Sequence, residues 1–388
     1  MKKEENKSPQ TGNRFRQASI SVTFLALVFG MAGASMLVKD RDFSDNENRV
    51  LQQRPEFTSE RLFDGTFTKE YEAYITDQFI GRDQWIALKV YAEKALQKKG
   101  INGVYFGKDG YLIQTHEADK VDAELVNKNV GRLQQFVSKY KGTKNVYAMI
   151  VPTASSVLKD KIPAYAQEYD QQTLISQIGD AIGKDHLIEV GDVLGQHKEE
   201  YIFYRTDHHW TSLGAYYAYV EACGKLGITP IPQSEFTKTE VTKEFLGTTY
   251  SKVNIKTTPD TITLYEQATK PSYHVALNHD KEQLEGLFDY KKLEQKDKYP
   301  VFLGGNNAYV EITGGEKNGK TLLVVKDSFA HTLVPFLAPH YEKIIMIDYR
   351  YFNESTEQLV EKEAVTDILV LYNTMNFVED RNLLKLGR

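Results

Sequence analysis

Between residues 58 and 100 apolar side chains recur at roughly helical spacing (Phe67, Tyr71, Tyr74, Ile75, Phe79, Trp85, Leu88, Tyr91, Ala92, Leu96), with a break at Gly81, which predicts a helical segment. Residues 104–113 form two short apolar runs around Asp109-Gly110, the pattern of a β-hairpin. The rhythm then changes. Residues 121–140 read as a polar helix with an apolar stripe, and 145–151 as an apolar run closed by Pro152, the form of a buried parallel strand. A helix is expected over 169–183, a short strand over 186–193 and a helix over 211–226. Residues 230–300 are less regular and rich in Thr, Lys and Glu, and read as an insertion of small antiparallel strands. Three mainly apolar strands then follow at 321–325, 343–347 and 367–371, separated by helical segments. This βαβ order predicts an α/β fold, a parallel sheet with helices on both faces. Ligands of such sheets sit beyond the carboxyl ends of the strands, so the residues following each strand carry the candidate chemistry.

The N-terminus sets the compartment. Residues 18–38 are uncharged and about as long as the ~20 residues an α-helix needs to cross a bilayer, and Lys2, Lys3, Lys7, Arg14 and Arg16 precede them. The positive-inside rule keeps 1–17 in the cytoplasm and places everything after Val38 outside. The second reading is a cleaved signal peptide, suggested by Ala32-Gly33-Ala34-Ser35; in either case the remainder works outside the cytoplasm, tethered or secreted. Charged, irregular residues 39–57 read as a stalk, and 58–388 as the catalytic domain. The 48 basic and 53 acidic side chains are spread without a long run of one sign, so a nucleic-acid groove is not expected. The single cysteine, Cys223, lies in an apolar helical stretch and reads as a buried structural thiol.

Strand 321–325 runs directly into Lys326-Asp327-Ser328-Phe329-Ala330-His331. A serine at a strand-to-helix turn stands at the top of the sheet beside amides that can stabilise an oxyanion. The plainer reading is that Ser328 or Asp327 caps the helix. Asp207-His208-His209-Trp210 shifts the balance. A serine hydroxyl is a poor nucleophile until an imidazole takes its proton, and the imidazole needs a carboxylate to fix its tautomer. Asp207 and His209 can supply that pair. Two adjacent histidines can also form a polar corner or a zinc site, but His186, His197 and scattered carboxylates make no zinc pattern nearby, so neither metal nor cofactor is expected. The other strand ends carry Asp348-Tyr349-Arg350 and Tyr372-Asn373-Thr374. Their Arg or Asn can donate to an oxyanion or a sugar hydroxyl, or can be ordinary loop polarity.

Taken in order, Glu47-Asn48-Arg49, Asn102-Gly103-Val104-Tyr105-Phe106-Gly107, Val151-Pro152-Thr153, Thr206 to Trp210, Phe245-Leu246-Gly247-Thr248, Lys326-Asp327-Ser328-Phe329 and Asp348-Tyr349-Arg350-Tyr351-Phe352 resemble the DHHW family, relatives of the SGNH-type proteins that acetylate alginate. The resemblance implies an SGNH-hydrolase-like core with rearranged motif order, the Asp/His element preceding the serine. It implies Ser328, His209 and Asp207 as the catalytic set, and Arg350, Asn373, Tyr204 and Trp210 as oxyanion or substrate contacts. Ordinary SGNH enzymes have Gly-x-Asn-Asp where this chain has Tyr372-Asn373-Thr374. The activity implied is transfer of an acetyl group through a serine ester to hydroxyls of a bacterial exopolysaccharide or surface polysaccharide. A multi-pass membrane acyltransferase is the implied partner, since no acetyl donor is expected outside the cell. An acetylesterase on the same polymers and a non-catalytic polysaccharide-binding or assembly protein stay open as alternatives.

Overall fold

The computed structural model describes residues 10–44, 49–269 and 272–387. Lys2, Lys3, Lys7 and the Asp45 to Asn48 part of the expected stalk lie outside these residues. The chain divides into two compact units, 1–89 and 90–388.

In the first unit a helix spans Gln10–Leu37, of which Arg16–Leu37 has a mean hydropathy of 2.0 and is wholly unburied, long and apolar enough to cross a membrane. Two short helices, Ser59–Phe63 and Thr66–Asp77, follow, and Gly81 (φ 66°) turns the chain before Arg82–Ala95. The expected stalk is not free. Phe43–Ser44 and Arg49–Val50 pair as short antiparallel strands, and Asp77 accepts from the Arg49 guanidinium and from the Gln52 N–H at 2.8 Å. These bonds lay the segment against the helix Thr66–Asp77.

The second unit is built on helix α1 (Ala123–Tyr140), strand β1 (Asn145–Val151), helices α2 (Gln171–Ile182), α3 (Ser212–Leu226) and α4 (Thr248–Val253), strands β2 (His274–Leu277), β3 (Glu282–Leu284), β4 (Tyr309–Thr313) and β5 (Thr321–Lys326), helix α5 (Ala330–Leu337), strand β6 (Lys343–Ile347), helix α6 (Thr356–Lys362), strand β7 (Asp367–Asn373) and helix α7 (Thr374–Glu379). Its sheet runs β3-β2-β4-β6-β5-β7-β1. The four strands β6, β5, β7 and β1 are parallel, whereas β3, β2 and β4 are antiparallel. The sheet is therefore mixed. β2 and β3 come from the segment read as an insertion, and their tight turn, with Asn278, His279 and Asp280 at positive φ, leaves no room for a crossover helix. A separate antiparallel pair, Phe236–Phe245 with Asp260–Gln267, completes that segment.

Alternation fixes the two faces. Leu322, Val324, Ile344, Met346, Leu369 and Leu371 point to one core, packed by α3 and α5, while Leu323, Val325, Ile345, Ile347, Ile368 and Val370 point to the other, packed by α1, α2 and α6. The strand expected over 186–193 is reduced to one bridge, Leu187 to Ala148. Leu187, Ile188 and Val190 are buried by packing along the sheet edge, and the chain turns into a helix at Gly191, which ends any ladder. The hairpin forms as Val104–Phe106 with Leu112–Gln114.

Candidate active site

The site lies beyond the carboxyl ends of β5 and β7. β5 ends at Lys326, and the chain turns through Asp327 and Ser328 before α5 begins at Ala330. Ser328 does not cap that helix. Its Oγ lies 2.7 Å from His209 Nε2, and His209 Nδ1 lies 2.5 Å from Asp207 Oδ1. All three side chains are buried, Ser328 at 7% exposure, and the Ser328 N–H makes no hydrogen bond among the described residues.

Asp207 is surrounded by donors. Besides the imidazole, Oδ1 accepts the His209 N–H at 3.0 Å, and Oδ2 accepts the N–H and hydroxyl of Thr248, each at 2.8 Å. Burial pushes the Asp207 carboxyl upward, but the imidazoles of His209 and His208 and the Thr248 N–H outweigh it and hold the carboxyl well below the usual carboxylate range. Gly247, at the start of α4, lets the loop approach this closely: a Cβ there would stand 2.3 Å from Asp207 Cβ.

The His209 ring is sandwiched. Tyr299 lies parallel to it at 3.7 Å and 8°, and His208 lies on its other side at 3.8 Å and 37°. The Tyr299 hydroxyl donates to the Ser328 carbonyl at 3.0 Å, so one buried side chain braces both base and serine turn. The segment before the Asp-His-His-Trp element is held by Asp260, which accepts from the N–H groups of Arg205 (2.9 Å) and Thr206 (2.7 Å), the Thr206 hydroxyl (2.6 Å) and the Tyr201 hydroxyl. Burial raises the Asp260 carboxyl, and these donors offset only part of that rise.

Beneath the serine turn, Asp327 Oδ2 accepts from the Asn373 N–H (2.7 Å), Asn373 Nδ2 (2.8 Å) and Asn376 Nδ2 (2.9 Å), and Oδ1 from the Phe329 N–H (2.9 Å). Beside it the buried Lys326 ammonium meets Asp348 at 3.2 Å and His331 Nε2 at 2.8 Å. Burial lowers both Lys326 and His331.

The four residues expected at the oxyanion or substrate each bond to or pack against protein groups. Asn373 gives one of its two Nδ2 protons to Asp327 and spends Oδ1 on capping α7 through the N–H groups of Met375 and Asn376, which leaves it one amide proton to donate. Trp210 is fully buried and its Nε1 donates to the Phe329 carbonyl (3.1 Å) and Thr332 Oγ1 (2.6 Å). Tyr204 is 1% exposed, packed on Phe245 and Tyr299. Arg350 donates to both oxygens of Asp348 (2.9 and 2.6 Å) and to Asn306 (3.1 Å), and makes no hydrogen bond to Ser328, His209 or Asp207. Tyr299, Gly247, Thr248 and Asp260 were not singled out as site residues. Gly247 and Thr248 stood within a recognised motif, whereas nothing local marks Tyr299 or Asp260.

Among the described residues, Asp207, His208 and His209 are the one group able to converge on a metal, their ligand atoms within 4.8 Å. Both ring nitrogens of His209 and Nδ1 of His208, 2.6 Å from Thr248 Oγ1, are already hydrogen-bonded. Among the described residues no further His, Cys, Asp or Glu joins this group.

The fold has known counterparts. A DHHW family protein from Eubacterium siraeum superposes with a TM-score of 0.62 and 26% identity, over 74% of this chain and 95% of that one. Bacillus cereus PatB1, in a structure with a sulfonyl adduct, gives 0.62 and 18% over 75% and 99%. The O-acetyltransferase domain of Pseudomonas putida AlgJ gives 0.44 and 13% over 74% and 99%, too distant to support an argument. No curated protein sequence matches the chain significantly. The sequence model of the DHHW protein family matches residues 120–347, which spans both the Asp207 to Trp210 element and Ser328, and the chain belongs to the DHHW family.

Proposed function

We propose that Ser328, His209 and Asp207 act as nucleophile, general base and orienting carboxylate of an acyl-transfer enzyme. The substrates are an acetyl donor and hydroxyls of a bacterial surface polysaccharide. The carrying observation is the line Asp207 Oδ1, His209 Nδ1, His209 Nε2, Ser328 Oγ, joined at 2.5 and 2.7 Å at the carboxyl edge of the sheet. His209 takes the Ser328 proton as Oγ attacks the donor carbonyl. The Ser328 N–H, which has no acceptor among the described residues, stabilises the oxyanion. Departure of the donor's leaving group leaves an acetyl ester on Ser328, and a polysaccharide hydroxyl then takes the acetyl group.

The order of the elements, Asp/His before Ser, supports a rearranged SGNH-like core, and the PatB1 adduct makes sulfonyl reagents natural probes of Ser328. The apolar Arg16–Leu37 helix supports a single-pass membrane tether with residues 90–388 outside, beside a membrane acyltransferase that delivers the acetyl group.

The test is intact mass spectrometry of the full chain in detergent after incubation with 4-nitrophenyl acetate, alongside Ser328→Ala. The expected result is a gain of one acetyl group on the wild type alone. Equal labelling of Ser328→Ala, or no adduct and no ester turnover in either, would sink the assignment and favour a binding protein.

A further inference from the structure

Two histidines precede Trp210, and the relay uses only the second. The first is fixed by its own bond. The Thr248 hydroxyl has one proton and donates it to Asp207 Oδ2 at 2.8 Å. His208 Nδ1, 2.6 Å from that hydroxyl oxygen, must therefore be the donor. A neutral His208 protonated on Nδ1 carries a bare lone pair on Nε2, and this nitrogen has no partner among the described residues. Burial first, and the neighbouring His209 second, hold the ring below the ordinary histidine range and so keep it neutral.

Orientation follows from the same contacts. Both rings turn Nδ1 toward the Asp207 carboxylate, His209 at 2.5 Å and His208 at 3.9 Å, and they lie face on face at 3.8 Å. Both Nε2 atoms thus face away from the carboxylate, and that of His209 meets Ser328 Oγ. The His208 side chain is 29% exposed against 5% for His209, so the first ring is the more open of the two.

We infer that His208 Nε2 is the subsite for the acceptor, and that the acceptor is a vicinal diol. One hydroxyl donates to His208 Nε2 while its neighbour attacks the Ser328 acetyl ester. This rests on the acyl-enzyme reading above. The attacking hydroxyl gives its proton to His209 Nε2, its oxygen bonds to the acetyl carbon, the ester bond to Ser328 Oγ breaks, and the proton returns from His209 to Oγ. That hydroxyl has only one proton, so a hydrogen bond to His208 requires a second O–H on the same substrate. The stacked rings place that second position next to the first, as on adjacent carbons of a sugar ring.

The experiment offers the acetylated full chain, formed with 4-nitrophenyl acetate, an equimolar mixture of trans-cyclohexane-1,2-diol and its monomethyl ether. The ether keeps the second oxygen and removes only its O–H. Both products arise from one acyl-enzyme, so their ratio is independent of acylation and hydrolysis rates. The wild type should acetylate the diol in preference by about 3- to 10-fold, the worth of one net hydrogen bond. His208→Ala should bring the ratio close to the statistical value of the two acceptors. His208→Phe, which keeps an aromatic ring against His209 but has no acceptor nitrogen, should do the same and guards against misfolding of the alanine variant. A wild type that acetylates both acceptors equally, or a preference that survives in either variant, overturns the assignment of His208 alone. A wild type that never acetylates Ser328 overturns the underlying mechanism and this inference with it.

Discussion

Gly247→Ala perturbs the site through a single methyl group. The added Cβ would stand 2.3 Å from Asp207 Cβ and 2.4 Å from Oδ2. Non-bonded carbons settle at about 3.5 Å or more, so the carboxylate or the start of α4 must give way by roughly 1 Å. The backbone itself is indifferent, since φ at Gly247 is −87°, a value that alanine adopts freely. The whole effect is therefore crowding, directed at the carboxylate that meets His209 Nδ1 at 2.5 Å. A misplacement of about 1 Å costs on the order of 10²-fold in rate, and complete loss of the aspartate's orienting role about 10⁴-fold. We expect kcat for 4-nitrophenyl acetate to fall between those bounds, with a stability loss of about 1–3 kcal/mol from overpacking. Turnover and thermal unfolding are measured together, with Gly131→Ala as the control. Gly131 sits in α1 with nothing within 4 Å of its added Cβ, so alanine there should stabilise by up to ~1 kcal/mol and leave turnover unchanged. Wild-type turnover in Gly247→Ala would refute the link between this close approach and the base.

Three further outcomes follow from the same geometry. Tyr299→Leu removes the ring stacked on His209 at 3.7 Å, a contact that holds the imidazole in line with Ser328 Oγ. Turnover of 4-nitrophenyl acetate should fall on the order of 10²-fold in Tyr299→Leu and far less in Tyr299→Phe; equal losses in both would mean that the hydroxyl, not the ring, matters. The depressed Asp207 carboxyl stabilises the fold fully above its unfolded pKa of about 4, and this contribution fades as pH falls toward the lower folded value. The stability advantage of wild type over Asp207→Asn, followed by denaturant unfolding, should accordingly be constant above about pH 5 and shrink below about pH 4; an advantage that grows on acidification would contradict the sign. Asn373→Ala leaves the buried Asp327 short of a donor and should cost about 1–3 kcal/mol in unfolding experiments; a large fall in kcat with unchanged stability would restore Asn373 as an oxyanion contact.

The mainly apolar runs at 321–325, 343–347 and 367–371, separated by helical segments, were sufficient to place three parallel strands, because a strand buried on both faces must be apolar throughout. Helix α1 was legible from its apolar stripe, and the structure adds a capping side chain ahead of each of α1, α2 and α3, Asp122, Asp170 and Thr211. The edge at 186–193 misled because Leu187, Ile188 and Val190 have a strand's burial without a strand's ladder, and burial is all that hydrophobicity records. The roles of Arg350, Asn373, Tyr204 and Trp210 were not legible for a related reason. A polar or aromatic residue near a strand end looks alike in sequence whether it faces a substrate or satisfies a neighbour, and here Asp348, Asp327, the Phe245–Tyr299 packing and the Phe329 carbonyl claim these four.

The sequence alone determined which side chains could do chemistry, since Asp207, His209 and Ser328 announce themselves by residue type and by position at element boundaries. It also determined the sheet's parallel centre and the apolar N-terminal helix. Only the tertiary structure decided that the imidazole and serine, 119 residues apart, meet at 2.7 Å. Only there do Gly247, Thr248, Asp260 and Tyr299, from a stretch that read as an insertion, close around them. The physical reason is one of range. Helical and strand periods are set by neighbours a few residues away, whereas the relay depends on hydrogen bonds and ring contacts between segments whose separation is fixed only when the two cores pack against the sheet.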